Sequence, residues 1–219
     1  MPRPWPGAAM TAEALIATAQ ALDGLGYMPS KSGNVSIRTE RGFLITPSGL
    51  PYAQLTPKEL VECGPDGGVL AGQRRPSSEW RLHADIYAAR PDAQALVHTH
   101  SPHATALSCA RRPIPPFHYM IAMAGGDDIP CSDYATFGTP ELAQAAVRAI
   151  EGRRACLLAN HGVVAIGSGL AAADALAREV ENLAREYLLL LASGLSPVLL
   201  TPDEMVAVKA QFRGYGRPA

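Results

Sequence analysis

Three of the six histidines have the types and spacing of a metal site. His98 and His100 flank Thr99 in an otherwise apolar run, and residues two apart on a strand point to the same side, so both imidazoles can reach one ion. His161 follows a second apolar run, and Gly162 behind it lets the backbone turn and aim the ring outward. Three imidazoles with one open position describe a catalytic zinc site rather than a structural one, which would close its shell with thiolates. An HxH pair is also common as plain polar surface, so spacing leaves both readings open. His83, His103 and His118 read as ordinary core or surface histidines.

A second group is Ser77-Ser78-Glu79-Trp80. Hydroxyls and free N–H groups at a helix start suit an anion such as phosphate, and a carboxylate there also complements the helix dipole. Ser32-Gly-Asn-Val-Ser36 and Thr46-Pro-Ser-Gly49 are small polar turns beside short strands, where glycine permits close approach and Asn or Ser supplies donors. They lack the lysine of a P-loop and the glycine spacing of a dinucleotide fingerprint. Standing alone, each of these groups is better explained by ordinary capping and turn chemistry. Aromatic residues make up only 6% of the chain, yet several fall in apparent loops: His118-Tyr119-Met120, Tyr134 to Gly138 and Phe212 to Gly216. That placement suits a ligand wall, and core filling suits any one of them.

The elements that must hold these residues can be read from periodicity and caps. A first helix is expected over 11–25, capped by Thr11, with Leu15, Ile16, Ala19 and Leu22 at helical spacing. Short strands are expected over 34–38 and 42–46, a helical turn over 57–61, and a hairpin turn at 65–68. Ser77 or Ser78 should cap a helix reaching Ala89, followed by a strand over 95–100 and a helix over 103–109. Thr139 should cap a further helix, with Pro140 at its first position and Gly152 just past its end. Apolar strands over 153–159 and 163–166 bracket Asn160-His161-Gly162. The last long helix is expected over 170–192, with Leu176, Val180, Leu183, Tyr187 and Leu190 on one stripe. Strands mixed with helices, without a regular βαβ rhythm, point to an α/β protein whose mostly antiparallel sheet is covered by helices.

Composition narrows the function. The 219 residues suit one domain, with the proline-rich segment 1–9 as a flexible leader. With 47% apolar and 18% charged residues the chain has an ordinary globular composition. A net charge of -1 without a basic cluster argues against a general nucleic-acid binder, and the longest apolar runs are far too short to cross a bilayer. The first residues lack the apolar stretch of a secretory signal. The 4 cysteines form no CxxC pair and are expected to be buried and inert, which suits a cytoplasmic protein.

In chain order the motifs read SGNVS, TPSG, PSSEW, HTH, HYMIAMAGG, IPCSDYATFGT and NHG, with YG near the end. As a set, over about residues 10–215, they resemble the class II, zinc-dependent sugar-phosphate aldolases. The resemblance implies an αβα-layered domain around an antiparallel sheet, assembled as a fourfold-symmetric homotetramer with active sites between subunits. It implies His98, His100 and His161 as zinc ligands. Glu79 becomes the acid/base, which also approaches the metal when no substrate is bound. Asn34, Ser48, Gly49, Ser77 and Ser78 become a phosphate cradle, Tyr119 a catalytic tyrosine reaching into the neighbour's site, and Phe137, Phe212 and Tyr215 aromatics around the aldehyde end. The segment Pro29-Ser-Lys-Ser32 and the short tail after Tyr215 depart from the family pattern.

The reaction so implied is reversible cleavage of a ketose 1-phosphate into dihydroxyacetone phosphate and a small aldehyde. Zinc would stabilise the negative charge left on the three-carbon fragment, Glu79 would shuttle its proton, and Tyr119 would exchange a proton with the aldehyde oxygen. The HYMIAMAGG and YATFGT stretches favour the branch of the family that acts on L-fuculose 1-phosphate and releases L-lactaldehyde. Rivals on the same scaffold are aldolases for rhamnulose or 5-deoxypentulose phosphates and a phosphopentose 4-epimerase. A non-catalytic module like the adducin head is opposed by the complete set of three histidines and Glu79.

Overall fold

A computed structural model describes residues 8–214. Every residue of β5 (Ala95–Thr99) and β7 (Gly162–Gly167) is buried, which is why both segments read as apolar runs, interrupted in β5 by His98 and Thr99. The two sides of each strand enter different cores. Ala95, Val97, Val163 and Ala165 face one layer, while Leu96, Val164 and Ile166 face the other.

The sheet has the order β4-β3-β2-β1-β5-β7-β6, with every neighbouring pair antiparallel. Its remaining strands are β1 (Asn34–Thr39), β2 (Gly42–Ile45), β3 (Val61–Cys63), β4 (Val69–Ala71) and β6 (Ala155–Leu158). One side is covered by α1 (Ala8–Gly24), α3 (Pro102–Cys109) and α5 (Leu170–Ala192), the other by α2 (Trp80–Ala89) and α4 (Pro140–Ala149). The αβα layering is therefore as expected. Leu15, Ala19 and Leu22 of α1 and Leu176, Val180 and Leu183 of α5 build the first core; Leu82 and Ile86 of α2 and Leu142 of α4 build the second. Each large side chain so buried contributes about 1.5–3 kcal/mol relative to exposure.

Glu181 is a charge buried in the middle of α5, and its reason is local. Its carboxylate accepts from the backbone N–H groups of His103 (3.0 Å) and Ala104 (2.9 Å), satisfying two unpaired donors in the first turn of α3. His103 Nδ1 lies 2.7 Å from the same carboxylate.

Several boundaries move. The first helix starts at Ala8, so Thr11 lies inside it and caps nothing; of the leader expected over 1–9, residues 1–7 fall outside the described part. α2 begins at Trp80, one or two residues later than a cap at Ser78 or Ser77 requires, because Ser77 Oγ accepts from Glu79 N (3.2 Å) in a preceding turn and Glu79 takes the cap position. β5 ends at Thr99, which leaves His100 just beyond the strand. A helix not foreseen, α6 (Pro202–Gly214), follows α5 and carries Phe212, which is therefore not in a loop. Among its described side chains only Met205 is buried, with Val208 and Phe212 half-buried against the same core. Thr139 caps α4 through Leu142 N (3.3 Å), and α5 spans the expected residues. Cys63 and Cys156 are buried, but Cys109 is exposed and Cys131 half-buried, since the segments carrying them lie at the rim of the core. Among the described residues no helix is long and apolar enough to cross a membrane.

Candidate metal centre and the cleft around it

Strand register brings the chemistry to one end of the sheet. Asn34 opens β1 opposite His98 of β5, and His98 pairs in turn with Val164 of β7. His98 shares the side of β5 that Leu96 uses, so it points toward the α2 layer. His161 stands in the tight β6–β7 turn behind Asn160, whose φ of 55° is left-handed. Gly162 completes that turn: a Cβ there would lie 2.4 Å from the Thr99 carbonyl and 3.1 Å from the His100 ring. Only glycine lets the two ladder ends close up this far.

The three imidazoles form a triangle. Each pair of ring centroids is 4.9 Å apart, with planes inclined by 70–83°. His98 Nε2 lies 3.0 Å from His100 Nε2. Glu79, in the turn before α2, reaches the same point: Oε2 is 3.1 Å from His98 Nε2 and Oε1 is 3.2 Å from His161 Nε2. One ligand atom from each of the four residues lies within 4.8 Å of all the others.

This group fits a bound cation. His98 Nδ1 donates to the Val163 carbonyl at 2.8 Å, which turns Nε2 of the neutral ring inward as a bare lone pair. That lone pair faces another imidazole nitrogen, and Glu79 Oε1 is buried with no aligned hydrogen-bond donor. Inward nitrogens and an orphaned carboxylate oxygen are the donor set of a divalent metal. Burial alone would raise the Glu79 carboxyl, but charge on His98 and contacts with His161 outweigh it and hold the group well below the carboxylate range. For His98 burial pulls the ring down, yet the Glu79 charge leaves it raised. Burial and the two neighbouring imidazoles push His100 down to about 3.

A cleft of about 280 Å³ opens beside this group, lined by Asn34, Ser48, Gly49, Ser77, Ser78 and Phe137 together with Glu79, His100 and His161. The two polar turns converge because their backbones pair. Pro47 and Pro76 form an antiparallel bridge, flanked by Ser48 N to Arg75 O and Ser77 N to Thr46 O, each 3.1 Å. Lys31, Ser32, Tyr134 and Asn160 line the cleft too; Ser32 and Tyr134 stood in the turn and the aromatic stretch read from the sequence, whereas Lys31 and Asn160 were given no role there. A cation directly before the Ser32-Gly-Asn turn was the available signal for Lys31.

Tyr119 and Phe212 do not join this cleft within one chain. They stack on each other, centroids 6.3 Å apart, beside a cavity of about 940 Å³ at the other end of the ladder, where Ala95 pairs with Gly167. Tyr215 lies outside the described residues.

An antiparallel sheet between helix layers, ending in three histidines and a glutamate over a serine-rich cleft, defines a metal-dependent aldolase scaffold. The family described as Class II Aldolase and Adducin N-terminal domain matches residues 13–188, and the chain belongs to that family. It is 52% identical over 202 residues to a 5-methylthioribulose-1-phosphate/5-deoxyribulose-1-phosphate aldolase of Rhodospirillum rubrum, covering 92% of this chain and 90% of that one. It is 45% identical over 205 residues to the L-fuculose phosphate aldolase of Escherichia coli (strain K12), covering 94% and 95%. Among solved structures, an L-fuculose 1-phosphate aldolase superposes with a TM-score of 0.90 at 39% identity, covering 94% of this chain and 97% of that one. The protein is a class II, metal-dependent aldolase.

Proposed function

We propose that this chain, acting as a single catalytic domain, reversibly cleaves a ketose 1-phosphate into dihydroxyacetone phosphate and a small aldehyde. The observation that carries the reading is the carboxylate of Glu79 set between the histidine group and a serine-rich cleft of about 280 Å³. His98, His100 and His161 hold the metal, which we take to be zinc from its nitrogen-rich donors. When bound, it supplies Lewis acidity toward the oxygens of the three-carbon fragment. Asn34, Ser48, Gly49, Ser77 and Ser78 bind the phosphate and fix the fragment beside Glu79, using binding energy remote from the reacting carbons. Glu79 moves the proton at the fragment's carbon that was bonded to the aldehyde.

The aldehyde end is supplied in part by a second copy. Phe137, 66% exposed, lines the cleft of its own chain, whereas Tyr119 and Phe212 are presented away from it. In a fourfold homotetramer Tyr119 reaches a neighbour's cleft and exchanges the proton of the aldehyde oxygen, with Phe212 and Tyr215 beside it. The phosphorylated substrate and the absence of a membrane-spanning helix among the described residues support a cytoplasmic site of action.

For the sugar there are two readings. L-fuculose 1-phosphate, giving L-lactaldehyde, has the 45% relative and the superposed structure behind it. 5-Methylthioribulose 1-phosphate or 5-deoxyribulose 1-phosphate has the 52% relative behind it, and that higher identity over 92% of the chain puts it first. These substrates share an apolar far end, which suits Tyr134 and Phe137 at the mouth of the cleft. The test is a panel of ketose 1-phosphates assayed for dihydroxyacetone phosphate release, with metal analysis on the same sample. The substrate with the highest kcat/KM names the sugar. Release from none of them, with metal bound, would overturn the aldolase reading.

A further inference from the structure

Strand β1 and helix α2 meet along a buried polar seam. Asn34, Ser36 and Arg38 alternate along one side of β1; Glu79, His83 and Tyr87 recur every four residues along α2 and the turn before it. Two strand residues advance about 6.7 Å and four helical residues about 6 Å, so the two rows stay in step. Asn34 Nδ2 donates to Glu79 Oε2 at 3.0 Å, and Asn34 Oδ1 is in contact with His83 Nε2. Ser36 Oγ lies 2.6 Å from His83 Nδ1 and 2.8 Å from Tyr87 Oη. Arg38 closes the far end, donating to the Tyr87 carbonyl at 2.8 Å with its guanidinium 4.7 Å from the Tyr87 ring centre.

The chemistry of the groups gives this chain one direction. A carboxylate only accepts, so Asn34 must turn its NH2 toward Glu79 and its oxygen toward His83. An amide oxygen only accepts, so His83 Nε2 carries the hydrogen. Burial pushes His83 down to about 3, so the ring is neutral and, with Nε2 carrying the hydrogen, its Nδ1 is bare. Ser36 therefore donates to Nδ1 and accepts from the Tyr87 hydroxyl. Asn34, Ser36, His83 and Tyr87 are all buried, with Phe43 stacked on His83 at 6.4 Å. In such a place packing alone would be served by an apolar residue, since a buried polar group is costly unless partnered.

We propose that His83 is a positioning residue for the aldolase reaction: through Asn34 it fixes the Glu79 carboxylate at the metal group. Without an N–H from His83, only the Glu79 carboxylate itself orients the Asn34 amide, and the buried Asn34 oxygen is left without a donor, so the amide holds the carboxylate less firmly. The proposal rests on the reading of Glu79 as the proton carrier, and His83 itself touches no substrate.

The test uses metal-loaded enzyme and solvent deuterium exchange into dihydroxyacetone phosphate. Wild-type exchange is measured first; its absence would overturn the Glu79 reading and this proposal with it. His83→Leu should lower exchange and kcat about tenfold at full metal content, with KM changed much less, the worth of one hydrogen bond to a charged group. His83→Gln keeps an N–H toward Asn34 and should recover most of that loss. A packing role would rank the two the other way, and a Leu variant as fast as a normally exchanging wild type overturns this proposal alone. If His83→Leu does not fold, Ser36→Ala takes its place, with a smaller loss of the same kind; an unchanged rate again overturns it. Independently, nitrogen NMR of histidine-labelled wild type should find His83 protonated at Nε2 and bare at Nδ1. The opposite tautomer would break the chain at its centre.

Discussion

The two ends of the β5–β7 ladder use the same pair of strands in opposite ways. At the Thr99–Gly162 end, nitrogen and carboxylate donors crowd a small polar cleft, and each donor is held by its own chain. At the Ala95–Gly167 end, the much larger cavity is lined by Met120, Met123, Leu176, Val208 and Phe212, with Asp92 and Arg154 among them. Tyr119 there is 52% exposed although it is stacked on Phe212. A polar site tolerates little looseness, because a buried unpaired charge is expensive, so its partners are fixed within one chain. Exposed Tyr119, stacked on half-buried Phe212 beside an apolar cavity, is the kind of feature that the proposed assembly would cover.

The largest test of this contrast removes the polar end outright. His98→Ala, or chelation of the wild type, should abolish metal binding and lower cleavage by a factor on the order of 10⁴ or more, read by metal analysis beside the assay. Full metal content and activity in His98→Ala would break the ligand assignment. Next comes Glu79→Gln, which keeps size and hydrogen bonding but removes the base. Deuterium exchange into dihydroxyacetone phosphate should fall about 10³-fold while metal and ligand still bind. Loss of the metal as well would make Glu79 chiefly a ligand.

Tyr119→Phe probes the other end. Cleavage should fall about 10²-fold, while exchange into dihydroxyacetone phosphate, which needs no aldehyde, stays unchanged. Sedimentation should show an oligomer, and a fully active monomer would remove Tyr119 from its role. The smallest effect is Ser77→Ala, which should raise KM for the phosphorylated substrate about tenfold and leave kcat largely intact. A pure kcat effect would move Ser77 out of the cradle and into the chemistry.

How much of this could be read beforehand differs element by element. β5 and β7 were legible because a strand buried on both sides is mostly apolar, with His98 and Thr99 the polar exceptions in β5. Thr139-Pro140 announced α4, and the stripe from Leu176 to Leu183 announced α5. α6 was missed although Met205, Val208 and Phe212 recur at helical spacing, because Phe212 was read together with Gly214 and Gly216 as a loop. Within the site, HTH and NHG stood out by residue type, and Glu79 by its two serines. His83 did not stand out. A histidine on an apolar helix face reads as filler until the strand beside it shows Asn34 and Ser36 in register. Phe212 was legible as an aromatic but not as a helical one.

The sequence by itself determined most of the local matters: the main strands and helices apart from α6, which turns need glycine, and which side chains are equipped for ligand or acid–base chemistry. Those follow from periodicity, backbone sterics and functional groups, all properties of near neighbours along the chain. Tertiary structure alone decided the company each group keeps. It set Glu79 among histidines from two other segments, and it joined the two polar turns through the Pro47–Pro76 bridge. It also sent Tyr119 and Phe212 to the far end of the ladder. The physical reason is that strand register and layer packing pair residues tens of positions apart, and a metal group or a hydrogen-bonded seam exists only where such pairings converge.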